Sequence, residues 1–287
     1  MFWALLLTTF LYNPATFTVP SGITPPLDTY TGAAGAYSTR KLRTAYSGSC
    51  IRVRRTSDST ETDIGFSSSG ALNGTALTSH CTGTNCFVTT WYDQSGNSRN
   101  ATQTTTARQP KIYDSSTGLY TRGTNSRAVL YYEPSVMSFL TLAAWGGGTS
   151  QSLYMVYEDD STSGYVAPVG TTYSAGGTYH GYITNAQLFD VVNTLAVTRL
   201  GENRKNASDI GDGLSTARPT TLSLLTCISN GSVGAAHTLK TIGSDDYVIT
   251  DRTVDGYVGE VIIYLSASSS GDKTGLESNI NSYWSLY

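Results

Sequence analysis

The stretch FVTTWYDQSGNSRNATQ, residues 87–103, runs an alternating strand into a turn holding Asp93, Gln94, Ser95, Gly96 and Asn97. A carboxylate beside amides and a hydroxyl can hold a sugar, and two facing carboxyls can cleave one. The same residue types also bond the backbone at a tight corner, where Gly96 can take positive φ. The corner reading is favoured, because Asp and Asn side chains readily bond neighbouring backbone amides. Other acids stand at Glu158, Asp159 and Asp160 in YEDD, read as a solvated turn, and at Glu260 on the alternating strand VGEVIIY, which could face a cleft. His80, His180 and His237 lack the spacing of a triad or a metal site. The acidic turn DIGDG, Asp209 to Gly213, supplies oxygen ligands for calcium but no complete ligand loop, so no metal and no cofactor is predicted. Trp91, Tyr92, Trp145, Tyr179 and Tyr182 are rings that could stack on sugar C–H faces, with packing across strands as the alternative.

The four cysteines are Cys50, Cys81, Cys86 and Cys227. In CTGTNC the pair Cys81 and Cys86 would close a small loop worth about 2 kcal/mol as a disulfide. Two reduced thiols are the alternative. No CxxC or HxxxH element completes a zinc site.

The elements that must position these groups are short strands. CIRVRRT, FVTTWYD, RQPKIYD, AVLYYE, LYMVYED, YHGYIT, TTLSLLTCIS and YVGEVIIYL have strand length, and turn signals such as SGN, AGG and SNGS separate them. Residues 36–42, AYSTRKL, predict a short helix capped by Ser38. The last segment predicts the best helix of the chain, with Leu276, Ile280, Tyr283 and Trp284 at i, i+4, i+7 and i+8. The pattern is all-β: a sandwich or jelly roll with one C-terminal helix.

Composition agrees. Of 287 residues only 14% are charged, while glycine reaches 29 and tyrosine 20, a mix suited to pleated sheets and tight turns. A net charge of −3 gives no reason to expect a nucleic acid, which would call for a basic face; the one basic cluster, Arg40 to Arg55, reads as a strand with solvated arginines. The apolar run Phe2–Leu11 is half the length of a membrane span, and the first basic residue is Arg40. It reads as an anchor that docks on a partner or on the chain's own sheet, with a signal peptide as the alternative. Residues 1–35 are thus expected to form an apolar anchor and Pro-rich arm, and 36–287 a single jelly-roll domain.

Three segments resemble one family. Ser38–Gly65, His80–Gln103 with its Cys–four–Cys element running into YDQSGN, and Gly256–Trp284 are similar to the catalytic domain of fungal α-L-arabinofuranosidase B. The opening LDTYTGAAGAYSTRKLR followed by YDQSGN also resembles concanavalin-like domains of bacteriophage virion proteins. The resemblance implies a concanavalin A-like antiparallel jelly roll and a Cys81–Cys86 disulfide. It implies a general acid at Asp245, in IGSD, with Asp246 beside it. The family's nucleophilic Glu falls on Asn185 of GYITNAQLFD, with Leu188 and Phe189 matching a Leu-Phe pair. An amide forms no stable glycosyl ester, so the site reads as vestigial.

The expectation is therefore a non-catalytic phage virion structural protein: a head decoration, fibre or tail component. Residues 1–35 would bind other virion proteins in a homo-oligomer without a membrane span, and surface glycans are candidate ligands. An arabinofuranosidase-like hydrolase, secreted, is the alternative.

Overall fold

The computed structural model describes residues 22–143, 151–161, 166–170, 179–181, 187–191, 194, 196–231, 239–245 and 252–287. The strands lie in two antiparallel layers. One layer runs Glu61–Ile64, Ile51–Arg55, Cys86–Trp91, Ala101–Thr102, Leu140–Leu142, Thr241–Ile242, Val166–Gly170 and Tyr179–Gly181. The other centres on Gly256–Tyr264, which pairs on one side with Ser152–Asp159. On its other side it pairs with both Gly35–Ser38 and Leu130–Tyr132. Ser223–Ile228, Glu202–Lys205 and Ser208–Asp209 extend this layer. Lys111–Asp114 bonds to a strand of each layer and joins them at one edge. The all-β sandwich read from the sequence is the fold observed.

Alternation sets which side chain goes where, since neighbouring residues of a strand face opposite sides of the sheet. Leu153, Met155 and Tyr157 face the space between the layers, where they join Val53, Val88, Trp91, Val258 and Val261. Tyr154 and Val156 face outward and meet Ile262, Leu276, Ile280, Tyr283 and Trp284. The last four of these belong to the helix Ser270–Trp284, so the predicted apolar stripe covers the outer sheet face. Burying Leu276 and Ile280 contributes about 2 kcal/mol each. Ser269 caps this helix by accepting from the Asp272 amide at 3.1 Å.

Residues 36–42 do not form the expected helix. Gly35–Ser38 is a strand in register with Ile263–Glu260, and Ala36 and Tyr37 are both fully buried. Pairing with a central strand overrides the weak local helix signal. A second helix, Gly74–Cys81, went unread in the sequence; Asn73 caps it by accepting from the Ala76 amide at 3.0 Å. The corner at YDQSGN is built from bonds to the segment Ala33–Leu42. Asp93 is buried and accepts from the amides of Ala36 at 2.9 Å, Ser95 at 2.9 Å and Arg99 at 3.0 Å. Gln94 is fully buried; its oxygen accepts from the Leu42 amide at 2.8 Å, and its NH₂ donates to the Ser38 and Arg40 carbonyls. Asn97 donates to the carbonyls of Ala33 and Ala34, and Gly96 takes φ of 96° to close the turn.

Cys81 and Cys86 are joined by a disulfide, whereas Cys50 and Cys227 are free and buried. Residues 22–35 lie against the C-terminal helix and the outer sheet. Asn279 donates to the Thr24 carbonyl, and the Tyr264 hydroxyl donates to the Tyr30 carbonyl at 2.7 Å. The anchor expected at Phe2–Leu11 falls outside the described residues.

Candidate active site

Asp245 sits just past Thr241–Ile242, where the chain leaves one layer to begin Gly256–Tyr264 in the other. Gly243 receives the Val254 amide on its carbonyl at 2.8 Å and donates its own amide to Pro168, which ties the crossover to Val166–Gly170. At Gly170 an added Cβ would lie 2.4 Å from the Asp245 Cα, so only glycine admits this approach. The Asp245 carboxylate is buried and accepts from Arg252 Nη1 at 2.9 Å.

A second buried pair stands at the same end of the sandwich. Asp159 ends the strand Ser152–Asp159 opposite Gly256, and its carboxylate accepts from Arg218 Nη1 at 2.9 Å and from the Ser161 amide at 3.0 Å. Burial pushes the Asp159 carboxyl above the usual carboxylate range, against the opposing pull of Arg218. The two pairs are linked by residues 252–255: Arg252 binds Asp245, and the Asp255 amide donates to Ser161 Oγ at 3.2 Å. Glu158 faces the outer side and accepts from Arg122 Nε at 3.0 Å; burial raises its pKa too. YEDD is thus not a solvated turn, because Glu158 and Asp159 are buried in ion pairs and only Asp160 is exposed. Near this end the buried hydroxyls of Tyr132, Tyr157 and Thr253 have no partner among the described residues. Those three hydroxyls are polar groups that sequence reading missed; tyrosines on strands and a lone threonine in a loop give no signal for them.

The other sequence candidates are dispersed. Glu260 does not face a cleft: it is fully buried among Ser38, Arg40 and Trp284. Trp91 is fully buried and packs on Tyr37 at 6.1 Å between ring centres, so it shows no face to solvent. The Tyr92 hydroxyl donates to Asp63 at 2.8 Å, and burial first, then Asp63, pushes its pKa up to about 12. Tyr179 begins the strand Tyr179–Gly181. Trp145, Tyr182, Asn185 and Asp246 lie outside the described residues. In DIGDG, Asp209 and Asp212 accept from the backbone amides of Gly211 and Leu214. Among the described residues no three His, Cys, Asp or Glu side chains are grouped to hold a metal, and no helix is long and apolar enough to cross a membrane.

This fold and its N-terminal third have known counterparts. The family described as α-L-arabinofuranosidase B, catalytic, matches residues 26–120. The chain is 42% identical over 83 residues to an α-L-arabinofuranosidase of Hypocrea jecorina, covering 27% of this chain and 17% of that protein. A probable α-L-arabinofuranosidase B of Aspergillus terreus is also 42% identical, over 84 residues, with the same coverage of 27% and 17%. A GH54 α-L-arabinofuranosidase soaked with a cyclic sulfate inhibitor superposes over 91% of this chain and 66% of its own, with TM-score 0.54 and 15% identity. An arabinofuranosidase complexed with arabinofuranosyl-α-1,2-xylobiose does so over 91% and 65%, with TM-score 0.52 and 16% identity. The chain spans less than two thirds of the length of each of these proteins, and at such identities the superpositions establish the fold alone.

These matches overturn the reading as a non-catalytic phage virion protein, and with it the placement in a virion. The relatives are glycoside hydrolases, and nothing in the fold or the matches points to a particle. Replacing the nucleophile by Asn185 removes the covalent route alone; attack by water on the sugar carbon remains, with a carboxylate to take its proton.

Proposed function

We propose that this chain is a glycoside hydrolase of the α-L-arabinofuranosidase type. The observation that carries this reading is 42% identity over 83 residues to a Hypocrea jecorina α-L-arabinofuranosidase. The shared β-sandwich supports it, although a fold by itself licenses no reaction. Asp245 is the carboxyl assigned as proton donor. It gives its proton to the glycosidic oxygen as the C–O bond to the arabinofuranosyl carbon breaks; water then bonds that carbon and passes a proton to the Asp245 carboxylate, which restores the acid. Arg252 holds the carboxyl in place, and Asp159, saturated by Arg218 and Ser161, keeps the crossover segment in register. The disulfide between Cys81 and Cys86 supports an oxidising setting, so we place the protein outside the cell.

The test compares two substrates. 4-Nitrophenolate leaves without a proton, whereas a xylo-oligosaccharide does not. Wild-type protein should release arabinose from both 4-nitrophenyl α-L-arabinofuranoside and arabinofuranosyl-xylobiose. Asp245→Asn should lose about 10²–10⁴-fold in kcat/KM on the second and much less on the first. No arabinose release by the wild-type chain, or an equal fold-loss for Asp245→Asn on both substrates, refutes the assignment.

A further inference from the structure

Away from the Asp245 crossover, residues 41–70 enclose an open groove of about 480 Å³. Its wall carries two aromatic rings, Tyr46 and Phe66, set edge to face with centres 6.3 Å apart. The Tyr46 ring is held in place: its hydroxyl donates to the Ser49 carbonyl at 2.8 Å, and it folds over Gly48, where a Cβ would come within 2.5 Å of that hydroxyl. Around the rings the lining is hydroxyl and backbone, with Ser47 and Ser68 exposed. A smaller cavity of about 170 Å³ adjoins it and shares Lys41, Ser68 and Gly70, so the depression continues toward Tyr283.

Charge narrows the ligand. No Asp or Glu lines either cavity. Arg40, at the inner end, is committed to Glu260. Lys41 has no ion pair among the described residues, and its backbone is fixed by donation to the Gly70 carbonyl at 2.6 Å. One uncompensated ammonium among hydroxyls and two rings suits a carbohydrate that bears a carboxylate. The rings would take sugar C–H faces, the serines its hydroxyls, and Lys41 the anion. A nucleic acid would need several cations along the path, and the chain offers one here.

We propose that this groove is a second carbohydrate site, separate from the Asp245 crossover, for a polysaccharide segment carrying uronic acid residues. It rests on the hydrolase reading only in taking a glycan as the ligand. It would hold an acidic backbone on the enzyme while side-chain sugars reach the crossover.

The full chain is titrated calorimetrically with tetragalacturonate as the acidic probe and xylotetraose as the neutral one. Tetragalacturonate should bind saturably and at least tenfold more tightly than xylotetraose, with affinity falling as salt rises. Lys41→Gln and Tyr46→Ala should each weaken it tenfold or more, and circular dichroism checks that both variants are folded. Lys41→Gln should leave hydrolysis of 4-nitrophenyl α-L-arabinofuranoside unchanged. Absence of saturable binding, equal binding of the neutral probe, or undiminished binding by Lys41→Gln overturns the proposal. Because binding is read without turnover, a chain that binds but does not hydrolyse refutes the enzyme and leaves the groove standing.

Discussion

Glu260→Gln should be among the most damaging single changes in this protein. The Glu260 carboxylate has no exposure and accepts four hydrogen bonds: from Ser38 Oγ at 2.9 Å, Arg40 Nε at 2.7 Å, Arg40 Nη2 at 2.8 Å and Trp284 Nε1 at 3.0 Å. Arg40 is nearly as buried, donates to Asn279 at 3.0 Å and lies 4.9 Å from the centre of the Tyr283 ring. The cluster therefore ties a central strand, the Gly35–Ser38 strand and the C-terminal helix together. An amide in place of the carboxylate leaves the guanidinium buried without a counter-charge and turns an NH₂ toward one of its donors. Breaking a buried pair from one side costs about 3–5 kcal/mol. At about 2–4 °C per kcal/mol for a large domain, the melting temperature should fall by about 6–20 °C. Guanidinium titration followed by tryptophan fluorescence gives the free energy directly. The informative control is the double variant Arg40→Met with Glu260→Leu, which removes both charges and keeps the volume. It should recover most of the loss, because a matched apolar pair needs no desolvated charge. A loss under about 1 kcal/mol for Glu260→Gln, or a double variant worse than the single one, would refute this account of the cluster.

Two further outcomes follow from neighbouring geometry. Gln94→Ala removes the partners of the Leu42 amide and of the Arg40 carbonyl, while the Ser38 carbonyl keeps the Cys50 thiol. At about 1 kcal/mol or more for each of the two stranded groups, the loss should be at least about 2 kcal/mol by denaturant titration, and a value under 1 would count against a structural corner. Asp114 has its carboxyl lowered to about 2, first by the Ser116 hydroxyl and then by the Ser116 amide. Its folded pKa lies below the unfolded value of about 3.9, so its contribution is present above about pH 4 and lost as pH falls toward 2. Ser116→Ala should bring the Asp114 titration, followed by carboxyl carbon NMR, back toward ordinary values and shrink that acid-side loss. An unmoved titration would refute the assignment.

Local pattern sufficed for the frame. Apolar and aromatic runs of strand length marked Ser152–Asp159 and Gly256–Tyr264, and the spacing of Leu276, Ile280, Tyr283 and Trp284 marked the helix, because burial is written into neighbouring residues. The corner residues Asp93, Gln94 and Asn97 were readable as turn chemistry for the same reason: their side chains favour backbone partners. Local pattern failed where the partner is remote. Residues 35–38 became a strand because Ile263–Glu260 lay open to them, more than two hundred residues away. Glu260, on an alternating strand, looked free to face a cleft until Arg40 and Trp284 closed over it. YEDD looked solvated until Arg122 and Arg218 reached Glu158 and Asp159 from other strands and loops. A sequence specifies which side chains prefer burial or a turn, but a charge is neutralised in space. Ion pairs between distant segments, and hence the surroundings of every carboxylate that could do chemistry, exist only once the sheets have packed.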